Sequence, residues 1–280
     1  MIGHAIFDVA GPKAARRIRI LTWISVAVIV ALLALAYYRF YASGALAPSK
    51  WLTFVQPATL RYLGQALLNT LTAAAVAGLA ALPLGLLLAL GRLSSSRLLR
   101  WPSTAVIELL RAIPVLLLIY VFMFALPIYG INLDTFYKLV IPVTLCAAAT
   151  IAEVFRAGVL AVPRGQSEAG AAIGLSSGQA FRLVVFPQAL RIVVPALVAQ
   201  LTIVVKDTAF GYVVSYPELL QSGRVLIANT GDLVQTYIVV TVVYILVNMA
   251  ISFGARALDR RMARRGRASL TLGARGGRLA

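Results

Sequence analysis

Two glutamate–arginine pairs lie within apolar stretches of the sequence, where charged side chains are rare. Glu108 is followed by Arg111 and Glu153 by Arg156, and a separation of three residues puts both members of a pair on one helix face. An isolated charge in hydrocarbon costs roughly 2.5–3.5 kcal/mol on insertion scales, so pairing makes such groups tolerable. The spacing favours pairs that hold neighbouring spans together and transmit movement. Direct contact of Arg111 or Glu153 with a substrate is the alternative.

A third polar group, formed by Lys206, Asp207 and Thr208, lies within a later apolar stretch. At 1.5 Å per residue, Lys206 would lie roughly 25 Å along a helix from Ala189, in the outer half of a membrane or at its outer edge. A lysine there would attract an acidic substrate, and we hypothesise that Lys206 and Thr208 line a path for it, with Asp207 beside them. Pairing with a neighbouring span, or a helix end near the interface, explains these residues equally well.

Chemistry that depends on histidine, cysteine or bound nucleotide finds little support in the sequence. His4 is the one histidine and Cys146 the one cysteine, so an internal disulfide is impossible and no metal-site spacing exists. The sequence also lacks the G-x-x-x-x-G-K-[ST] phosphate loop. We therefore expect no cofactor, no metal and no enzymatic activity in this chain. If ATP drives the protein, another chain must bind it.

The composition identifies lipid as the solvent for most of the chain. Of 280 residues, 61% are hydrophobic and only 12% are charged, an apolar share far above that of soluble domains. The formal net charge of +17 would suggest nucleic acid in a soluble protein. Here the basic residues lie at the ends of apolar stretches, where orientation in a membrane explains them better. No nucleic-acid partner is expected.

The apolar stretches predict an all-α integral membrane protein with about six transmembrane helices. The first stretch is too long for the apolar core of a signal peptide and predicts a retained helix. Arginines concentrate in the N-terminal segment, in residues 92–100 and 163–188, and in the C-terminal tail. The positive-inside rule places these segments, and so both termini, in the cytoplasm. The predicted spans cover residues 18–41, 64–90, 103–126, 138–162, 189–212 and 234–253.

The loop at residues 163–188 has the most specific local pattern. Its first part, residues 166–173, is rich in alanine and favours a helix. Gly174 is expected to end that helix, because glycine adopts the left-handed conformation at little cost. A second short segment, at residues 177–186, is expected to end at Pro187.

The spacing within this loop resembles the cytoplasmic EAA loop of permease subunits of ABC importers. The letters EAG at 168–170 are followed by three residues, Gly174, nine residues and VVFP at 184–187. Gly170 and Phe186 stand where that family usually has alanine and leucine. The resemblance implies a short helix that docks into a groove of a separate ATPase. The docking residues that it implies are Gln166, Glu168, Ala169, Gly170, Ala172, Gly174, Leu175, Arg182 and Pro187.

The resemblance to permeases for polar amino acids extends over about residues 64–253. It rests on NTL at 69–71, ALGRLS at 89–94, the E-x-x-R-x-x-P pattern from 108, the E-x-x-R-x-G pattern from 153, VP-x-GQ from 162 and KDT at 206–208. The stretches FDVAGPKAARR at 7–17 and RAIPVLLLIY at 111–120 resemble glutamate-type permease subunits of high-GC Gram-positive bacteria. That family has a five-helix core, which leaves the first helix as an addition.

The resemblance implies a domain organisation and a set of partners. Residues 1–17 would be a cytoplasmic segment, 18–63 the added helix with an extracytoplasmic connection, 64–254 the permease domain and 255–280 a basic cytoplasmic tail. The implied partners are two copies of an ATP-binding subunit carrying ATP and magnesium, a second permease subunit, identical or different, and an extracytoplasmic solute-binding protein. The implied location is the bacterial plasma membrane, and the implied cargo is glutamate or a related amino acid.

Two other functions fit parts of the sequence. The intramembrane carboxylates Glu153 and Asp207 would suit a secondary transporter or channel driven by an ion gradient, but the sequence shows no inverted repeat. A membrane anchor without transport would leave the loop at 163–188 and the charge pairs unexplained.

Overall fold

The computed structural model describes residues 11–276, and every regular element in that range is a helix. The helices follow as α1 Pro12–Ala42, α2 Pro48–Leu52, α3 Pro57–Leu93, α4 Arg97–Ala112, α5 Val115–Ile128, α6 Thr135–Ala161, α7 Arg164–Ala172, α8 Ser177–Val214, α9 Leu219–Thr230 and α10 Leu233–Gly276. Within the described residues, α1, α3, α6, α8 and the first part of α10 are long and apolar enough to cross a membrane. The expectation of an all-α membrane protein is confirmed.

The centre of the fold is the contact between α3 and α6, where small side chains let two backbones approach closely. A Cβ added to Gly85 would lie 2.6 Å from Cγ2 of Ile151 on α6, so only glycine fits there. α8 packs against both α6 and α3 and contributes to the same core. The stripe of small buried residues on α3 consists of Ala73, Ala77, Ala81, Gly85 and Ala89.

The third predicted span is not one straight helix. α4 and α5 meet at an angle of 96° across Ile113 and Pro114, so the span predicted over 103–126 is broken into two helices. Ile113 has an extended backbone with ψ of 124°, the conformation that a following proline imposes by steric contact. The pair counts as a sixth span only if both halves are taken together.

Proline does not end the helix at Pro187 as the sequence had suggested. α8 continues through it, and a π turn over Phe181–Val185 precedes it, in which the Phe186 amide donates to the carbonyl of Phe181. The wider turn shifts the carbonyl that the proline ring would otherwise contact. The same arrangement occurs in α5, where a π turn over Val121–Ala125 precedes Pro127.

The predicted polar connection at 213–233 contains a helix, α9. Glu218 caps its N-terminus, and Gly231, with φ of 75°, ends it in the left-handed conformation. α9 packs against α3, α10 and the C-terminal turn of α8. It therefore forms a structured cover at the end of the bundle opposite α7.

The remaining boundaries differ from the sequence prediction mainly in length. α1 buries none of its residues, so its whole apolar surface faces outward. α3 begins at Pro57, earlier than the predicted residue 64, and α10 continues beyond its apolar part, which ends at Gly254. Residues 1–10 and 277–280, at the ends of the predicted N-terminal segment and basic tail, lie outside the described residues.

Candidate functional site

Arg92, near the C-terminal end of α3, joins the two predicted charge pairs into one network. Its Nη1 lies 2.6 Å from Oε1 of Glu153 on α6, and its Nη2 lies 2.9 Å from Oε1 of Glu108 on α4. Within their own helices, Glu153 lies 3.1 Å from Arg156 and Glu108 lies 3.7 Å from Arg111. Three helices are thereby connected at one end of the bundle.

The bridging role of Arg92 escaped the sequence analysis, which assigned this residue only to a basic loop. A planar guanidinium carries donors in a fork, so it can bind two carboxylates at once, whereas a lysine offers a single ammonium. The side chains of Arg92 and Glu153 are about one-fifth exposed. Their contact is therefore less screened by solvent than an ordinary surface pair.

The loop between α6 and α8 contains α7 and a sharp glycine turn. Gly174 has φ of 85°, which confirms the predicted left-handed helix end. A Cβ added to Gly170 would lie 3.2 Å from Cβ of Ala180, so glycine lets α7 approach the start of α8. The Nε2 of Gln188 donates to Oε1 of Gln166 at 3.0 Å, which ties the start of α7 to α8.

The residues expected to dock an ATPase surround this turn. Glu168, Leu175 and Phe181 lie among the residues that line a cavity of about 440 Å³ between α7 and the start of α8. Gly170 is buried and Leu175 is partly buried. The exposed members of the predicted set are Gln166, Glu168, Ala169, Ala172, Gly174, Arg182 and Pro187.

A larger cavity, of about 700 Å³, lies between the C-terminal half of α8 and the first part of α10. Lys206 lines it and is the one charged residue among the described residues that do so. In the described part of the chain, its ammonium forms no salt bridge. The other polar side chains in the wall are Thr202, Tyr237, Thr241, Tyr244, Asn248 and Ser252.

The other residues predicted for a substrate path are dispersed. Asp207 is partly buried and does not line the cavity. Thr208 is 1% exposed, and its hydroxyl donates to the carbonyl of Val205 at 2.7 Å. Arg111 and Glu153 belong to the network around Arg92, away from the cavity wall.

A buried carboxylate lies behind the cavity, and sequence analysis did not identify it. Glu218 is fully buried, and its oxygens accept from the amides of Leu220 at 2.7 Å and Gln221 at 2.6 Å. The hydroxyl of Tyr244 donates to Oε2 of Glu218 at 2.9 Å. The hydroxyls of Thr70 and Thr208 adjoin the same phenol. The cluster thus connects α3, α8, α9 and α10.

The environment of Glu218 sets two opposing effects on its ionisation. Burial disfavours the charged form, and the two amides and the phenol favour it by hydrogen bonding. Burial dominates and raises the pKa of Glu218 to about 7. The one available sequence signal was the position of Glu218 directly after Pro217 and before an apolar stretch, which is compatible with a helix start.

Comparison with known proteins gives a consistent result. A family model described as "Binding-protein-dependent transport system inner membrane component" matches residues 81–264. The glutamate transport system permease protein GluD of Corynebacterium glutamicum is 34% identical over 230 residues, covering 81% of this chain and 84% of that protein. The glutamine transport system permease protein GlnP of Escherichia coli K12 is 34% identical over 190 residues, covering 67% and 87%.

Solved structures agree with these relatives. The chain is similar to the crystal structure of an amino acid ABC transporter with histidines, with a TM-score of 0.72, 26% identity and coverage of 75% of this chain and 98% of that one. It is also similar to an inward-facing MetNI methionine ABC transporter, with a TM-score of 0.63, 26% identity and coverage of 74% and 99%.

Proposed function

Because the chain belongs to the family of binding-protein-dependent transport system inner membrane components, we infer that it is the transmembrane permease subunit of an ATP-driven importer of polar amino acids. It is a multi-pass membrane protein, and ATP hydrolysis belongs to a separate subunit. We propose further that the transported amino acid is glutamate or a closely related acidic amino acid.

The cavity between α8 and α10 carries the proposal of an acidic cargo. Its volume of about 700 Å³ lies within the range of small-molecule sites, which is 300–1,000 Å³. Lys206 is its one charged residue within the described wall, so a carboxylate would find there an ammonium without a competing salt bridge. Hydroxyl and amide groups from Thr241, Asn248 and Ser252 would bind the remaining polar atoms of an amino acid.

The loop around α7 supports coupling to a separate ATPase. Its exposed residues and the cavity of about 440 Å³ beside Glu168 offer a shaped surface on the side of the membrane where the arginine count places the cytoplasm. The Gln166–Gln188 hydrogen bond would pass a movement of α7 directly to α8, whose far end lines the transport cavity. ATP binding would thus rock the bundle between two orientations.

The proposed assembly follows from the family and from this coupling. Two ATP-binding subunits carry ATP and magnesium, a second permease subunit, identical or different, completes the path, and an extracytoplasmic solute-binding protein delivers the cargo. α9 covers the end of the bundle where such a protein would arrive. Both termini of the chain are cytoplasmic in this arrangement, in the plasma membrane of a bacterium.

Uptake of labelled amino acids tests the choice of cargo. Cells that lack the gene would be complemented with wild type, Lys206→Gln or, as a matched control outside the cavity, Lys138→Gln. Glutamate, glutamine, arginine and histidine would be compared. Glutamate uptake should fall about tenfold in Lys206→Gln, as expected for loss of one charge-assisted contact, and remain near wild type in Lys138→Gln. Equal glutamate uptake by the two variants, or no glutamate uptake by wild type, would contradict the proposal.

A further inference from the structure

We propose that Glu218 is a positioning residue for the transport cavity, which it shapes through the side chain of Tyr244 and the backbone of Leu220. The inference rests on the proposed function, because it assigns the cavity between α8 and α10 to the cargo. Glu218 itself does not line that cavity, whereas Tyr244 and Leu220 both do. A buried side chain would therefore determine the form of the wall that the cargo meets.

The carboxylate of Glu218 is held in one position by its neighbours on two helices. Two adjacent amides at the start of α9, those of Leu220 and Gln221, hold its two oxygens at 2.7 and 2.6 Å. α8 closes the other side, since a Cβ added to Gly211 would lie only 2.7 Å from Cγ of Glu218. The carboxylate therefore has little freedom to move. It can serve as a fixed acceptor for a side chain from another helix.

Tyr244 is the side chain that uses this acceptor. Its hydroxyl donates at 2.9 Å to Oε2 of Glu218, a residue that does not line the cavity, while Tyr244 itself forms part of the wall. Without that bond the phenol ring would be free to change its orientation and alter the shape of the wall. The bond therefore fixes the position of the ring beside Lys206.

The same arrangement keeps the carboxyl group of Glu218 away from an acidic cargo. All three donors converge on the two carboxylate oxygens, and the side chain has no exposed surface. The cavity wall beside Tyr244 presents Thr241 and Asn248, which are neutral, and Lys206, which is positive. An acidic amino acid would meet one cation and no anion within the described wall.

A helix cap that only stabilises α9 is the competing explanation, and substitutions can separate the two. Tyr244→Phe removes the phenol oxygen and leaves both cap hydrogen bonds of Glu218 in place. Glu218→Gln leaves one oxygen acceptor and removes the second. Matched controls are Tyr129→Phe, at an exposed tyrosine, and Asp134→Asn, at the carboxylate cap of α6, neither of which touches the cavity.

The experiment measures the initial rate of labelled glutamate uptake against concentration in gene-deleted cells that express each variant at matched membrane levels. Tyr244→Phe and Glu218→Gln should each raise KM about tenfold, equivalent to about 1.4 kcal/mol, with Vmax within about a factor of two of wild type. The double variant should show no further rise in KM, because both changes act through the same contact between Tyr244 and Glu218. The controls should retain the wild-type KM.

Each outcome decides between the explanations. If the KM of Tyr244→Phe equals that of Tyr129→Phe, the proposal is wrong, and Glu218 acts only as the N-terminal cap of α9. If Glu218→Gln fails to reach the membrane, Tyr244→Phe, which keeps the cap, decides alone. If wild-type cells take up no glutamate, the proposed function fails first. If glutamate is taken up and Lys206→Gln impairs it while Tyr244→Phe does not, only the role of Glu218 is refuted.

Discussion

Replacing Arg92 with glutamine should destabilise the protein more than any other single loss of an arginine charge on α3 or α4. The substitution removes the fork that joins Glu153 on α6 to Glu108 on α4. Glu153 would keep one partner, Arg156 in its own helix, and the connection between the three helices would be lost.

The size of the effect follows from the exposure of each partner. The contact of Arg92 with Glu153 is 2.6 Å long and involves side chains about one-fifth exposed, and a hydrogen bond between charged groups contributes roughly 1.5–3 kcal/mol. Glu108 is 54% exposed, so its contact contributes at most about 1 kcal/mol. Together they predict a loss of roughly 1.5–4 kcal/mol in the free energy of unfolding.

Denaturation of the purified protein in detergent measures this loss directly. Arg97→Gln is the matched control, because Arg97 is exposed at the start of α4 and has no salt bridge within the described residues. Arg92→Lys should lose about half as much as Arg92→Gln, since one ammonium cannot reach both carboxylates as a guanidinium does. A free energy of unfolding for Arg92→Gln within about 0.5 kcal/mol of Arg97→Gln would refute the network as a stabilising element.

Three further results are expected. Burial raises the pKa of Glu218 from 4.5 to about 7, so between those pH values the native state keeps a proton that the unfolded chain has released. The free energy of unfolding should therefore fall by roughly 3 kcal/mol from pH 4.5 to pH 8. Glu218→Gln should flatten this dependence in melting experiments at different pH, and an unchanged slope would contradict the assignment to Glu218. Gly174→Trp should leave membrane insertion intact but uncouple ATP hydrolysis from uptake. In the control variant Gly130→Trp, at a glycine that also has a positive φ but lies near the other end of the bundle, ATP hydrolysis should remain coupled to uptake. Coupled transport by both variants would be evidence against docking at α7. Gly85→Leu should prevent stable packing of α3 on α6, because its Cβ would lie 2.6 Å from Ile151. The control variant Gly64→Leu, whose Cβ would meet nothing within 4 Å, should melt near the wild-type temperature. Equal melting temperatures for the two variants would show that the close approach of α3 to α6 is unimportant for stability.

The spans were predictable because apolar length is a strong signal in membrane proteins. The helix end at Gly174 was predictable for a local reason, since few other residues adopt a positive φ there. The bend between α4 and α5 was harder to predict, although Pro114 marks its position in the sequence. Pro83 and Pro142 lie within continuous helices of the same protein, so proline alone does not distinguish a break from a tolerated position.

The contacts that assemble the candidate site depended on tertiary structure. Arg92 and Glu153 are 61 positions apart in sequence, and spacing along one helix reveals only the pairs within each helix. Glu218 looked like a polar residue of a connection, because burial of a glutamate requires three donors that only the folded chain supplies. Lys206 was recognisable as an unusual intramembrane charge, but its cavity is formed jointly with α10.

ATP-driven transport is tested most directly by labelled glutamate uptake in cells with and without this gene, measured after ATP depletion and, separately, after collapse of the ion gradient at constant ATP. We expect gene-dependent uptake that disappears on ATP depletion and persists without the gradient. Gene-dependent uptake that survives ATP depletion and stops when the gradient collapses would contradict it.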